Sequence, residues 1–191
     1  MGSSNARIKI NIKTLFFVLL IGLIGISLIF YLYNFKSYKP ITSVIYHGHE
    51  ISFRDDLREA VKVPVFPSKN EINSVMMNPS VKNVTILYKL TESSESMYAI
   101  ESFEIIFKLK IAYLSNNMNV TLNVQNITSY ENLKGNPENP IVALVHPIYS
   151  NETAVRVEDH TIFIKGKNDR DFDLATINFL VGALDINITS T

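Results

Sequence analysis

The chain has 191 residues with 18 basic and 18 acidic side chains, 47% hydrophobic residues, no cysteine and no tryptophan. That balance excludes a basic nucleic-acid-binding surface, and the missing thiols exclude a disulfide framework, a Cys-bound metal and a cysteine nucleophile. Ile, Asn and Lys are abundant against five Arg, the bias of an AT-rich genome.

Residues 14–33 (TLFFVLLIGLIGISLIFYLY) are 20 consecutive apolar or small residues without a charge. At a rise of about 1.5 Å per residue they span about 30 Å, the thickness of a bilayer's hydrocarbon core. A cleaved signal peptide has a shorter apolar stretch and a small-x-small cleavage site, and the exit through Tyr31, Tyr33 and Phe35 offers none. The segment therefore reads as a transmembrane signal-anchor, with aromatic rings at the exit interface and Lys36 and Lys39 among the headgroups. Gly22 and Gly25 are three apart, so the helix-pairing G-x-x-x-G spacing is absent. Arg7, Lys9 and Lys13 precede the span with no acid, which places the tail 1–13 inside. Residues 34–40 follow as a linker and 41–191 as one extracytoplasmic domain, long enough to bury a core without disulfides. Without the three tail cations this remainder is about three charges negative.

Five N-glycosylation sequons follow the span, at Asn83, Asn119, Asn126, Asn151 and Asn187, whereas chance placement of the same Asn and Thr gives about one. They point to a glycoprotein with its domain outside. A secretory-pathway ectodomain of this size usually carries disulfides, so a cysteine-free one fits a prokaryotic, in particular archaeal, envelope.

In chain order, residues 41–46 and 50–54 flank His47-Gly48-His49 as a tight hairpin. Residues 55–62 read as a short helix, and Ser68 with Glu71 as a capping box opening a helix that Asn78-Pro79 ends. Residues 81–90 alternate as a strand, Val84, Ile86 and Tyr88 on one face and Asn83, Thr85, Leu87 and Lys89 on the other. From Ser94 to Leu114, Met97, Ile100, Phe103, Phe107, Ile111 and Leu114 recur at helical spacing, with Glu101, Glu104 and Lys108 on the far side. That phase predicts a loss of about 3–5 kcal/mol for Phe107→Ala and about 0.5 kcal/mol or less for Lys108→Ala.

Residues 118–125 read as a peripheral strand with Asn119 on its wet face, 129–140 as a loop and 141–145 as a central strand. With 154–158 and 161–165 this last strand is expected to form a three-strand meander. A helix capped by Asn168 or Asp169 closes the chain. Leu174, Ile177, Val181 and Leu184 form its stripe, widened by Phe172, Ala175 and Phe179, and Gly182 suggests close contact with the sheet. The expected class is α+β: an N-terminal transmembrane helix, then a mostly antiparallel sheet with two amphipathic helices packed on one face.

His47, His49, His146 and His160, with Glu50, could in principle meet around zinc, but no H-E-x-x-H spacing joins them and three sit in turn positions. Asp169, Asp171 and Asp173 imitate an EF-hand start, yet Leu174 and Leu180 stand where that loop needs Gly and Glu, so they read as a helix start. No G-x-S-x-G, Ser-x-x-Lys or P-loop is present. No catalytic residue, cofactor or metal ligand is assigned. The run Ser129–Pro140, then Val145-His-Pro-Ile, Asn151-Glu-Thr, residues 161–166 and 171–176 resemble uncharacterised small single-pass membrane proteins of archaea. The resemblance covers the C-terminal third, implies an envelope location and supplies no active site.

The reading that follows is a membrane-anchored envelope protein with a non-catalytic binding or structural role. Its partners are the lipid bilayer and another envelope protein or glycan, with no nucleic acid. The alternative is a membrane-anchored hydrolase using Asp/Glu or a His-bound metal, which would show a deep pocket where His146 and carboxylates converge.

Overall fold

The computed structural model describes residues 42–91 and 94–188; the anchor at 14–33, its tail and the linker at 34–40 lie outside them. Among the described residues no helix is long and apolar enough to cross a membrane.

The domain opens with a hairpin of β1 (Thr42–Tyr46) and β2 (His49–Phe53). His47 and Gly48 both take left-handed φ, 47° and 84°, the two-residue turn whose twist matches that of the strands. The hairpin sends Ile51 and Phe53 into the core. Helix α1 (Leu57–Ala60) starts where the Asp56 carboxylate accepts the Arg58 N–H at 2.8 Å. After β3 (Val65–Phe66), helix α2 (Lys69–Met76) begins behind Ser68 as expected. The capping box itself does not form: Ser68 makes no side-chain cap bond, and Glu71 lies beside Ser74.

The remaining elements are β4 (Asn83–Tyr88), α3 (Glu95–Ser115), β5 (Thr121–Asn126), β6 (Ile141–Val145), a 3-10 turn at Pro147–Tyr149, β7 (Ala154–Glu158), β8 (Thr161–Lys165) and α4 (Asp169–Ala183). The six-stranded sheet runs β3-β7-β8-β6-β4-β5. Only β7–β8 is antiparallel; the other four pairings are parallel. The mostly antiparallel sheet is thereby corrected to a mixed one, and the meander falls too, because β8 inserts between β6 and β7. Parallel neighbours need long returns. Helix α3 carries the chain from β4 to β5, and the loop at 127–140 carries it back past β4 to β6.

Val84, Ile86, Val142, Leu144, Val155, Ile162 and Ile164 share the sheet face that meets the helices in one core. Leu87, expected on a wet face, is 6% exposed. The sheet's other side is overlaid by the 127–140 loop, whose Gly135 N–H donates to Thr161 Oγ1 at 2.9 Å. Helix α4 is buried along nearly its whole length, as its stripe implies, and the Asn168 side chain caps it at the Asp171 N–H, 3.0 Å away. Its Gly182 approaches α2 and not the sheet: a Cβ there would lie 2.9 Å from Ile72 Cδ1.

The phase of α3 is the main correction. Its buried residues are Tyr98, Glu101, Ser102, Ile105, Lys108, Leu109, Ala112 and Tyr113. Ile100, Phe103, Phe107 and Leu114 are 46%, 65%, 53% and 62% exposed. Two apolar stripes compete on this helix. The one rich in Phe faces out, and the inner one tolerates two charges because Arg54 meets Glu101 and Glu104 of the same helix meets Lys108.

Candidate functional site

The inner face of α3 meets Arg54, at the end of β2, and Asp173, in the first turns of α4. Arg54 Nη2 donates to Glu101 Oε1 at 2.5 Å and to Asp173 Oδ1 at 2.6 Å, and Nε lies 3.7 Å from Glu104. Lys108, 2% exposed, pairs with Glu104 one turn earlier and sets its ammonium 5.0 Å from the Phe53 ring centroid. Among these five groups three carboxylates face two cations, one negative charge in excess. Burial raises the pKa of both Glu101 and Asp173, against the pull of Arg54; the charge of Asp173 raises Glu101 further, and that of Asp55 raises Asp173. Burial and Arg54 depress Lys108 to about 8. A proton retained by the Glu101–Asp173 pair balances the cluster. Beside it lies an open depression of about 400 Å³, lined by Arg54, Met97, Ile100, Glu101, Arg170 and Asp173.

The outer face is chemically opposite. Phe103 and Phe107 stack with ring centroids 6.0 Å apart and planes at 12°, and Ile100 and Leu114 extend the stripe on the same side. Lys110, exposed, shares this side. Exposed apolar side chains aligned along several turns of one helix mark an interaction surface more often than scattered ones do.

At the carboxyl ends of the parallel strands, where open α/β sheets usually bind ligands, the polar groups satisfy one another. Tyr130 Oη donates to the Leu144 carbonyl, accepts the Lys89 N–H at 3.0 Å and lies 3.3 Å from Tyr98 Oη. Tyr98 Oη in turn accepts the His146 N–H at 3.3 Å. His146 Nδ1 accepts the Ile148 N–H at 3.2 Å, and burial lowers its pKa.

The candidate zinc residues do not converge. His47 and His49 are exposed at the hairpin, His160 lies in the β7–β8 turn and His146 follows β6. Among the described residues no group of three or more His, Asp or Glu is placed to hold a metal. Asp169, Asp171 and Asp173 do open a helix: Asp171 accepts from Thr153 Oγ1 at 2.8 Å and Asp173 turns to Arg54. Of the sequon residues, Asn119, Asn126, Asn151 and Asn187 are exposed, whereas Asn83 is half-buried on β4 and its Nδ2 donates to Asn139 Oδ1 at 2.8 Å. Sequence reasoning missed Arg54 as the hub. The signal available was the alternative α3 stripe of Tyr98, Ile105, Leu109 and Ala112, which carries Glu101 and Lys108 inward with it and so demands partners for them.

A wide-open concavity of about 730 Å³ is lined by Val44, Tyr46, Asn73, Met77, Asn116 and Asp185 among others, with no cluster of carboxylates or histidines. Comparison of the chain with protein-family models, with curated proteins and with solved structures returns no match.

Proposed function

We propose that the chain is a membrane-anchored envelope protein, held by residues 14–33 with 1–13 inside and 41–191 outside, whose domain has a binding or structural role. The observation that carries this reading is the outer face of α3, an aligned apolar surface presented to solvent. The charged groups beneath it are engaged with one another. A domain that exposes stacked phenylalanines and keeps its carboxylates bound to its own arginine is suited to contact and not to proton transfer with a substrate. The sequons fit an outward domain, and the resemblance to archaeal single-pass proteins fits an archaeal envelope glycoprotein. Protease added to intact spheroplasts should remove residues 41–191, and alkaline carbonate should leave the protein in the membrane pellet. A domain protected from protease in sealed cells would overturn the orientation, and release by carbonate would overturn the anchor.

The hydrolase reading keeps one observation in its favour, the Glu101–Asp173 pair with raised pKa beside an open depression. Against it, the Glu101 side chain is only 4% exposed. Loss of a hydrolytic activity in Asp173→Asn, with the fold retained, would revive it.

A further inference from the structure

We propose that the outer face of α3 seats on the surface of the bilayer that anchors the chain, so that Ile100, Phe103, Phe107 and Leu114 enter the lipid interface and Lys110 meets anionic headgroups. This rests on the anchor reading of residues 14–33. The length of chain between that segment and the domain sets the geometry. Eight residues, 34–41, separate Tyr33 from Thr42, and at no more than about 3.5 Å each they reach about 28 Å. The domain is therefore never far from its membrane.

The entry point also lies beside this helix. Thr42 pairs with Phe53 in the β1–β2 hairpin, the Phe53 ring meets Lys108 of α3, and the next residue, Arg54, binds Glu101. A helix is about 10 Å across, so a tether entering at its inner side reaches round to its outer side with length to spare. Helix α3 is 21 residues long, about 31 Å at 1.5 Å per residue. The inner side of this helix is packed on the domain, so the outer apolar stripe, with Lys110 beside it, is the side free to lie against a lipid interface. A second copy of the chain is the weaker occupant. Stable dimers bury about 800 Å² and 20–30 residues on each partner, and this stripe offers four large side chains.

The chain contains no tryptophan, so a single introduced indole reports its own position without background. Full-length Phe107→Trp would be reconstituted into vesicles of zwitterionic and anionic phospholipid, with and without bromine near the headgroup end of the acyl chains. Phe66→Trp, 45% exposed on β3 at the opposite edge of the sheet, serves as the reference. Both sites are partly exposed, so both variants should fold. The expected result is a blue-shifted Phe107→Trp emission quenched several-fold more by bromolipid than Phe66→Trp.

Equal, weak quenching of both while the protein co-floats with vesicles overturns the docking and leaves the anchor standing. Failure to co-float overturns the anchor reading first. The chain also lacks cysteine, so Phe107→Cys can be tested for disulfide trapping in the same vesicles. Efficient trapping at high lipid excess makes a second copy the occupant and overturns the lipid assignment.

Discussion

Lys108 and Phe107 are adjacent residues with reversed roles. The lysine stem is buried against Phe53 with its ammonium on Glu104, while half of Phe107 faces solvent. Removing one partner of a buried ion pair strands the other and empties the space of the stem. Lys108→Ala should therefore cost about 2–4 kcal/mol, and Phe107→Ala less than about 1 kcal/mol, by denaturant midpoint. Lys108→Met, which keeps the stem, should lose less than Lys108→Ala. Equal losses for Phe107→Ala and Lys108→Ala would put the helix in a different phase.

The carboxylates give a pH dependence of definite sign. Glu101 and Asp173 hold their protons to higher pH in the folded chain than in the unfolded one. Their contribution to stability is then complete below about pH 4, the unfolded range, and is lost as pH rises through the raised folded values. Glu101→Gln should flatten that decline in urea titrations made from about pH 4 to pH 7. Lys108 runs the other way at higher pH: depressed to about 8, it adds stability as pH climbs from there to its unfolded value, and Lys108→Met should remove that rise. A glycan at Asn83 would have to compete with the hydrogen bond to Asn139 and with the neighbouring strands. Glycopeptide mass spectrometry of native protein should therefore find Asn119 or Asn151 occupied ahead of Asn83.

At the scale of elements, periodicity placed nearly every helix and strand, because alternation and 3.6-residue spacing are written locally. Residues 141–145, apolar throughout, were legible as a central strand and lie between β8 and β4. Pairing direction was not legible. A strand's own residues say which face is buried but not which neighbour supplies the hydrogen bonds, and the insertion of β8 beside β6 is a matter of connection geometry. The phase of α3 was illegible for a different reason. Both of its stripes are apolar, and the choice between them depends on Arg54 and Asp173, 47 residues before and 72 after Glu101, so no window within the helix contains it.

The α2–α4 contact gives an element-scale test. Replacing Gly182 by Ala gains up to about 1 kcal/mol of helix propensity, but the new Cβ meets Ile72 Cδ1, fully buried, at 2.9 Å. Gly182→Ala should be neutral to mildly destabilising in the native background and stabilising in Ile72→Val, which lacks that methyl. A double-mutant cycle should return a favourable coupling of about 1 kcal/mol. A coupling of zero would show that the tip of Ile72 has room to rotate aside.

For the molecule as a whole, the question is how much of the chain the domain needs. Its hydrophobic core runs from Ile51 to Leu184, and the partly buried residues packed on it run from Val44 to Ile188. Among the described residues, that core is assembled from β1 through the residues that follow α4. A fragment of residues 40–191 should therefore fold by itself and unfold in a single cooperative transition, with a urea midpoint close to that of the full chain in detergent. The first strand marks the limit. Starting the fragment at residue 48 removes β1, which leaves β2 without its ladder and uncovers the side of Phe53 that Thr42 and Val44 border. Phe53 is fully buried, its ring contacts Lys108, and the adjacent Arg54 binds both Glu101 and Asp173. Losing the hairpin should then release the charge cluster along with the apolar contact, a cost of at least about 3 kcal/mol from the stranded carboxylates alone. Near-equal midpoints for the two fragments would mean that β1 is dispensable and that Arg54 is held by its carboxylates without help from the hairpin.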